Sequence, residues 1–357
     1  MEVATGKYRD GVDTFRRQEQ EPAREEITEV APGVLRLQLP ISMPGLGHVN
    51  CYALEDGDGF CLVDPGLPGD DAWDGLLAAM GRAGVPLARV HSVLVTHSHP
   101  DHFGGAARLR AESGGDVVTH RAFRLWWDFE GDAEDPETDP ASDRSPRFER
   151  PVPWGGEPFR PPVDPVMDRR RLELRSGAWI PRPTRRLDDA DIITLARRDW
   201  VAIHTPGHTP DHLCLFDPAE GVVLSGDHVL PSITPHISGL DAGEDPLTEF
   251  FESLDRMAAL DGVHHVLPAH GHPFSDLKSR AEAIKEHHLE RLARLRDASA
   301  TLGRSASVHE YMQHLFSERA WGSMAESETF AHLEHLRLSG QAESHWDGGL
   351  LLYDMVA

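Results

Sequence analysis

Residues 97–102 read His-Ser-His-Pro-Asp-His and follow directly on the apolar run 90–96, VHSVLVT. A short run of that kind predicts a strand covered on both faces. Three imidazoles and a carboxylate packed into the six positions after it cannot be buried without a partner for their charge. Whatever fold the chain takes must therefore open a polar, charge-compensated cavity at the end of that strand.

Three later segments repeat the arrangement. His208 follows the predicted strand 199–204 in TPGHT, Asp227 follows 221–225 in LSGD, and His270 follows 263–267 in PAHG. Strand ends on one edge of a sandwich converge, so His97, His99, Asp101, His102, His208, Asp227 and His270 can face one cavity. Imidazole and carboxylate donors suit Zn²⁺, with Fe or Mn taking the same set. Seven donors exceed one tetrahedral ion and suit two ions sharing a carboxylate, with room for a bridging water whose pKa falls towards about 7. Two divalent ions against Asp101, Asp227 and a bridging hydroxide leave about +1 at the site. The formal charge of the whole chain is -24. His212 and His228 lie close enough in sequence to support these donors. His48, His236, His272, Trp126 and Trp127 are expected at the mouth of the substrate pocket.

The chain has 357 residues, 39% of them hydrophobic, enough for a sizeable core. Lys and Arg number 35 against 59 Asp and Glu, a balance that disfavours nucleic acid and anionic membranes as partners. No apolar run approaches the ~18 residues of a membrane span, and the first 26 residues carry no apolar segment of a secretory signal. Cys51, Cys61 and Cys214 sit in strand-like runs and are expected as buried, reduced side chains in a cytoplasmic protein.

Periodicity divides the chain into a loose polar arm or short surface helix (1–26), a catalytic domain (27–275) and a C-terminal helical domain (276–357). Within the second, strands are predicted at 33–41, 48–54, 60–63, 90–96, 116–119, 191–196, 199–204, 212–217, 221–225 and 263–267, and helices at 72–83, 104–113 and 246–260. Residues 128–190 break the pattern; nine of the 27 prolines and ten acidic residues fall within 131–170. That insert reads as a surface loop or as a lid bringing Trp126, Trp127, Trp154, Phe159 or Trp179 over a pocket. A helix over 275–300 is followed by helix, helix and a hairpin turned at 347–349, an order that suits a small winged-helix module.

THSHPDH, TPGHT, LSGD and PAHG, in that order, resemble the metal-dependent hydrolases of the metallo-β-lactamase fold. The resemblance covers roughly 27–275 and implies an α/β fold, an αββα sandwich with two metals at one edge. It implies His97, His99 and His208 on the first metal, Asp101, His102 and His270 on the second, and Asp227 bridging. Asp64, in VDPG, resembles the buried aspartate that orients a ligand. The tail is similar to that of the subgroup with a C-terminal winged helix, the glyoxalase II-like and β-lactamase-like protein 2 group. Lactamases of the commonest subclass carry cysteine where Asp227 stands, so antibiotic hydrolysis is not expected.

The resulting expectation is a dinuclear zinc hydrolase that cleaves a small thioester, ester or lactone through a metal-bridging hydroxide, with Asp101 or Asp227 relaying its proton. The alternatives are a phosphodiesterase, phosphotriesterase or endoribonuclease, and a mononuclear iron dioxygenase of the persulfide type. The expected partner is a small-molecule substrate, not nucleic acid and not a membrane. The C-terminal domain is expected to form a homodimer or to cover the pocket.

Overall fold

Strands β1 (Thr28–Ala31), β2 (Val34–Met43), β3 (Leu46–Glu55), β4 (Phe60–Val63), β5 (Val90–Leu94), β6 (Asp116–His120) and β7 (Arg185–Leu187) lie side by side in chain order in the computed structural model. The structure describes residues 17–43, 45–57, 59–125, 151–159, 177–240 and 243–356. The first four strands are an antiparallel meander, and β4 to β7 pair in parallel. Parallel neighbours need crossovers. Helix α1 (Asp70–Ala83) supplies the one between β4 and β5; α2 (Pro100–Phe103) and α3 (Ala106–Ser113) supply the next.

A second sheet has the order β12-β11-β10-β9-β8, built from β8 (Ile192–Leu195), β9 (Arg198–His204), β10 (Leu213–Asp217), β11 (Val222–Gly226) and β12 (His265–Pro268). Helix α4 (Pro246–Ala258) crosses between the parallel pair β11 and β12. It starts where the sequence marks a start: the Asp245 carboxylate accepts from the Thr248 amide and proline takes the first helical position.

The period-2 pattern sorts each central strand between two layers. On β3, Tyr52 and Leu54 point between the sheets while Val49, Cys51 and Ala53 pack outward under α1 and α3. On β10, Leu213 and Leu215 face the interior and Cys214 faces the helices on the far side. The layers are helix, sheet, sheet, helix. All three cysteines are free and buried, and burial pushes their thiols up.

The outer layer of the second sheet is continuous with the C-terminal residues. Helices α5 (Leu277–Leu302), α6 (Val308–Leu315) and α7 (Ser323–Leu338) share one apolar cluster with α4, through Phe250, Leu254, Ile284, Leu295, Tyr311 and Leu333. Strands β13 (Ala306–Ser307), β14 (Ala342–Asp347) and β15 (Leu350–Met355) form a small sheet of order β13-β15-β14.

Several details differ from the sequence expectation. Residues 17–26 are not loose: Glu19 is buried in a short 3-10 turn, and its carboxylate accepts from the amides of Ser232 and Ile233. Trp154 and Trp179 are not lid side chains. Trp154 is buried against the Phe330 ring of α7, centroids 5.0 Å apart, and Trp179 packs in the layer of α1 and α3. The insert also supplies β7, whose single buried side chain, Leu187, is too little for a periodic signal. Trp126 and Trp127 lie outside the described residues. Among the described residues, no helix is long and apolar enough to cross a membrane.

Candidate metal centre

The seven donors lie where β5, β9, β11 and β12 end. His97 and His99 occupy the turn after β5; Asp101 and His102 are on the short α2, started by Pro100 after the extended His99. His208 follows β9 on a turn through Gly207, at φ +125° and pressed against α4. Asp227 follows Gly226, at φ +51° and packed on the His212 ring, a close approach only glycine allows. His270 follows β12.

These turns bring the donors into two groups, His97, His99, His208 and Asp227, and Asp101, His102 and His270, within each of which the ligand atoms lie within 4.8 Å of one another. In the first group His99 Nδ1 is 2.9 Å from His97 Nε2 and 3.1 Å from His208 Nε2. The outer hydrogen bonds fix which nitrogens carry protons. His208 Nδ1 donates to the His236 carbonyl at 2.7 Å, so its Nε2 presents a lone pair. Thr96 Oγ1 gives its proton to Asp64 and accepts from His97 Nδ1 at 3.0 Å, leaving His97 Nε2 bare as well. Two lone pairs therefore converge on His99, which has at most one proton to offer them.

The second group is oriented in the same way. Asp64, strained at φ +55°, accepts from the Thr96 amide at 2.9 Å, Thr96 Oγ1 at 2.8 Å and His102 Nδ1 at 2.9 Å. His270 Nδ1 donates to the His48 carbonyl at 2.7 Å. Both rings thus aim Nε2 at the carboxylates: His102 Nε2 is 3.5 Å from Asp101 and 3.6 Å from Asp227, and His270 Nε2 is 3.4 Å and 3.3 Å from the same two. His102 Nε2, His270 Nε2 and Asp227 Oδ1 are buried with no hydrogen-bond partner. Ligands at ~2.0–2.2 Å from a tetrahedral ion sit about 3.3 Å apart. The orphaned atoms have the chemistry and the spacing for divalent cations.

Electrostatics divide the metal-free centre. Burial, with neighbouring imidazoles, drives His97 well below the ordinary range and His99 to about 3. Burial also opposes charge on His102 and His270, but Asp101 and Asp227 outweigh it, lifting His102 well above its usual value and His270 to about 10. Against the same burial, His102 and His270 hold Asp101 at about 2 and Asp227 well below the carboxylate range. The two carboxylates that favour protons on His102 and His270 would favour a divalent cation in the same place.

The expected supporting residues fall into different places. His212 is buried, accepts from the Asp227 amide at 3.0 Å and faces Thr205 Oγ1 at 2.8 Å, so it holds the turn that carries Asp227. His228 lies one ring further out, between His212 and Phe250. His48 is not at a pocket mouth: it is fully buried, its ring bridges the Glu21 carbonyl and the Gly271 amide, and its own carbonyl anchors His270. His272 is half-buried and paired with Glu21 at 3.1 Å. His236 is half-buried and contributes its carbonyl to His208. That two of the donor histidines, His208 and His270, hang on main-chain carbonyls has no counterpart in the sequence, since every residue carries one.

Among the described residues His288, Glu328 and His332 also converge. Glu328 is already neutralised by Arg291, so a divalent ion would leave about two uncompensated charges in a buried place. His332 Nδ1 donates to the Glu328 carbonyl at 2.7 Å, and His288 Nδ1 meets His332 Nε2 at 3.0 Å, a hydrogen-bonded contact between α5 and α7.

Fold and centre together define a metal-dependent hydrolase architecture. The model of the metallo-beta-lactamase superfamily matches residues 44–272, and the chain belongs to that superfamily as a hydrolase of its fold. It is 24% identical over 342 residues to "Probable metallo-hydrolase YqjP" of Bacillus subtilis (strain 168), covering 90% of this chain and 97% of that one. A metallo-beta-lactamase family protein from Thermus thermophilus superposes with a TM-score of 0.73 at 28% identity, over 92% of this chain and 100% of the other. The "Atrochrysone carboxyl ACP thioesterase" of Aspergillus fumigatus is 24% identical over 264 residues, 73% of this chain and 63% of that protein.

Proposed function

We propose that the chain is a two-zinc hydrolase of a small thioester, ester or lactone. His97, His99 and His208 would hold one ion, Asp101, His102 and His270 the other, with Asp227 between them. The observation that carries this reading is the position of Asp227: Oδ2 faces His208 Nε2 at 3.7 Å and His102 Nε2 at 3.6 Å, while Oδ1 faces His270 Nε2 at 3.3 Å. A full second donor set beside the first favours two ions over the single iron of a dioxygenase. When bound, such a pair supplies a water ionised near neutral pH and an electrophile for the substrate carbonyl oxygen.

The side chains do the rest. Asp64 and the His48 and His236 carbonyls hold three imidazoles in one tautomer, so no ring reorientation accompanies the reaction. Asp101 is the carboxylate we assign to take the proton of the attacking water and return it to the leaving thiolate or alkoxide. Six of the seven donors are buried and His99 is half-buried, so the exchange is open to solvent on the His99 side alone. Thioesters lead the ranking because a relative is named as a thioesterase and because a chain of charge -24 repels RNA.

A panel of thioester, lactone and phosphodiester substrates, offered to zinc-loaded protein, tests the assignment. Turnover confined to phosphodiesters would reverse the substrate class. His99→Ala should lose one ion and Asp227→Ala should weaken both, hydrolysis being abolished in each, and an active variant would dismiss the site. Elemental analysis after purification without added metal should find two zincs per chain; a single iron would favour the dioxygenase.

A further inference from the structure

The loop between β11 and α4 carries His236, whose carbonyl anchors His208, and the loop is held from outside by the C-terminal helices. Arg280 of α5 donates to the carbonyls of Leu230 and Ile233, both at 2.6 Å. Ser327 Oγ of α7 accepts from the Gly239 amide at 3.1 Å. Gly239 lies so near α7 that a Cβ would stand 2.6 Å from the Phe330 ring. Between these holds, Glu328 of α7 places Oε2 3.5 Å from His236 Nδ1, and Arg291 of α5 grips its other oxygen. Glu328 is buried and His236 half-buried, so the pair is only partly screened by solvent.

We propose that Glu328 is a positioning residue of the metal centre: it fixes His236, whose carbonyl keeps His208 Nε2 aimed at His99, so that the C-terminal helices complete the His97, His99 and His208 group. The inference rests on the two-ion reading. A carboxylate that merely packed α7 onto the domain would support both donor groups equally. One acting through His236 supports a single group, because the other hangs on Asp64 and on the carbonyl of His48, whose hydrogen bonds to His102 and His270 do not involve α7.

Zinc affinity of the full-length protein, titrated against a chelator in two equivalents, separates these cases. In Glu328→Ala one equivalent should weaken on the order of 10–100-fold, as for other residues that orient a ligand, while the second keeps its wild-type affinity. His236→Ala should give the same split, the double variant should be no weaker than either single one, and Glu328→Gln should restore part of the loss. Wild-type affinity for both equivalents in Glu328→Ala would overturn the proposal. So would equal weakening of both with a lower melting temperature. If Glu328→Ala does not fold, His236→Ala, at a half-buried position, decides by the same split. Failure of the wild-type protein to take up two ions would remove the two-ion reading itself, and this proposal with it.

Discussion

At the scale of single residues the centre is governed by which nitrogen of each imidazole carries a proton. Asp64 accepts three hydrogen bonds on its two oxygens, from the amide and hydroxyl of Thr96 and from His102 Nδ1. An asparagine offers one acceptor oxygen and would turn an NH₂ towards a donor. Asp64→Asn should therefore lower zinc affinity by about 10–100-fold in chelator competition, with little change in overall helix and strand content by circular dichroism. A second expectation follows from the protons on His102 and His270. Zinc must displace them and ionise a bound water, so uptake near pH 7 should release about two to three protons per chain, read by calorimetry in buffers of different ionisation heat. The sign in the metal-free protein is opposite to that of metal affinity. His270, raised to about 10, adds stability that is fully present below about 6.5 and is lost as pH rises through about 10. Zinc affinity increases over the same interval.

Among elements, the turns after the strands matter more than the strands. A Cβ on Gly207 would stand 2.4 Å from Phe250 Cβ and 2.5 Å from its Cα, at a backbone φ of +125°. The α4 backbone cannot yield there, so the turn itself must move, and His208 moves with it. Gly207→Ala should cost about 1–3 kcal/mol in denaturant unfolding and weaken zinc binding as well. By comparison the donor-bearing strand β5 is secured on both faces, with Val90 and Val93 under α3 and Leu94 between the sheets.

For the molecule as a whole, one apolar layer runs from α4 through α5 and α7 to Tyr353 of β15. Phe330 is buried in that layer, against Trp154 of the insert and beside Gly239 of the metal-side loop. Phe330→Ala should destabilise the protein by about 3–5 kcal/mol, measured by equilibrium unfolding as one transition. Two separate transitions would show that the C-terminal helices fold apart from the sandwich. The shared layer also brings α7 to the centre, since Ser327 and Glu328 precede Phe330 on the same helix.

Much of this was legible from the chain alone, because it is encoded locally. Period-2 alternation or a short apolar run marked β2 to β6 and β8 to β12 within a few residues, and the seven donors stand at strand ends because strand, turn and donor are contiguous in sequence. Short elements with little to alternate, such as β1, β7 and β13, left no such trace. The roles of His48 and His236 were also invisible. His48 was expected at a pocket mouth and is buried instead, and both residues hold a donor ring through a main-chain carbonyl that any residue would supply. Residue type alone says which side chains offer lone pairs to a cation; which carbonyl lies behind each ring follows from packing. Donor identity is a property of a residue, while the approach of residue 48 to 270, or of 236 to 208, depends on how two sheets and a helical layer pack.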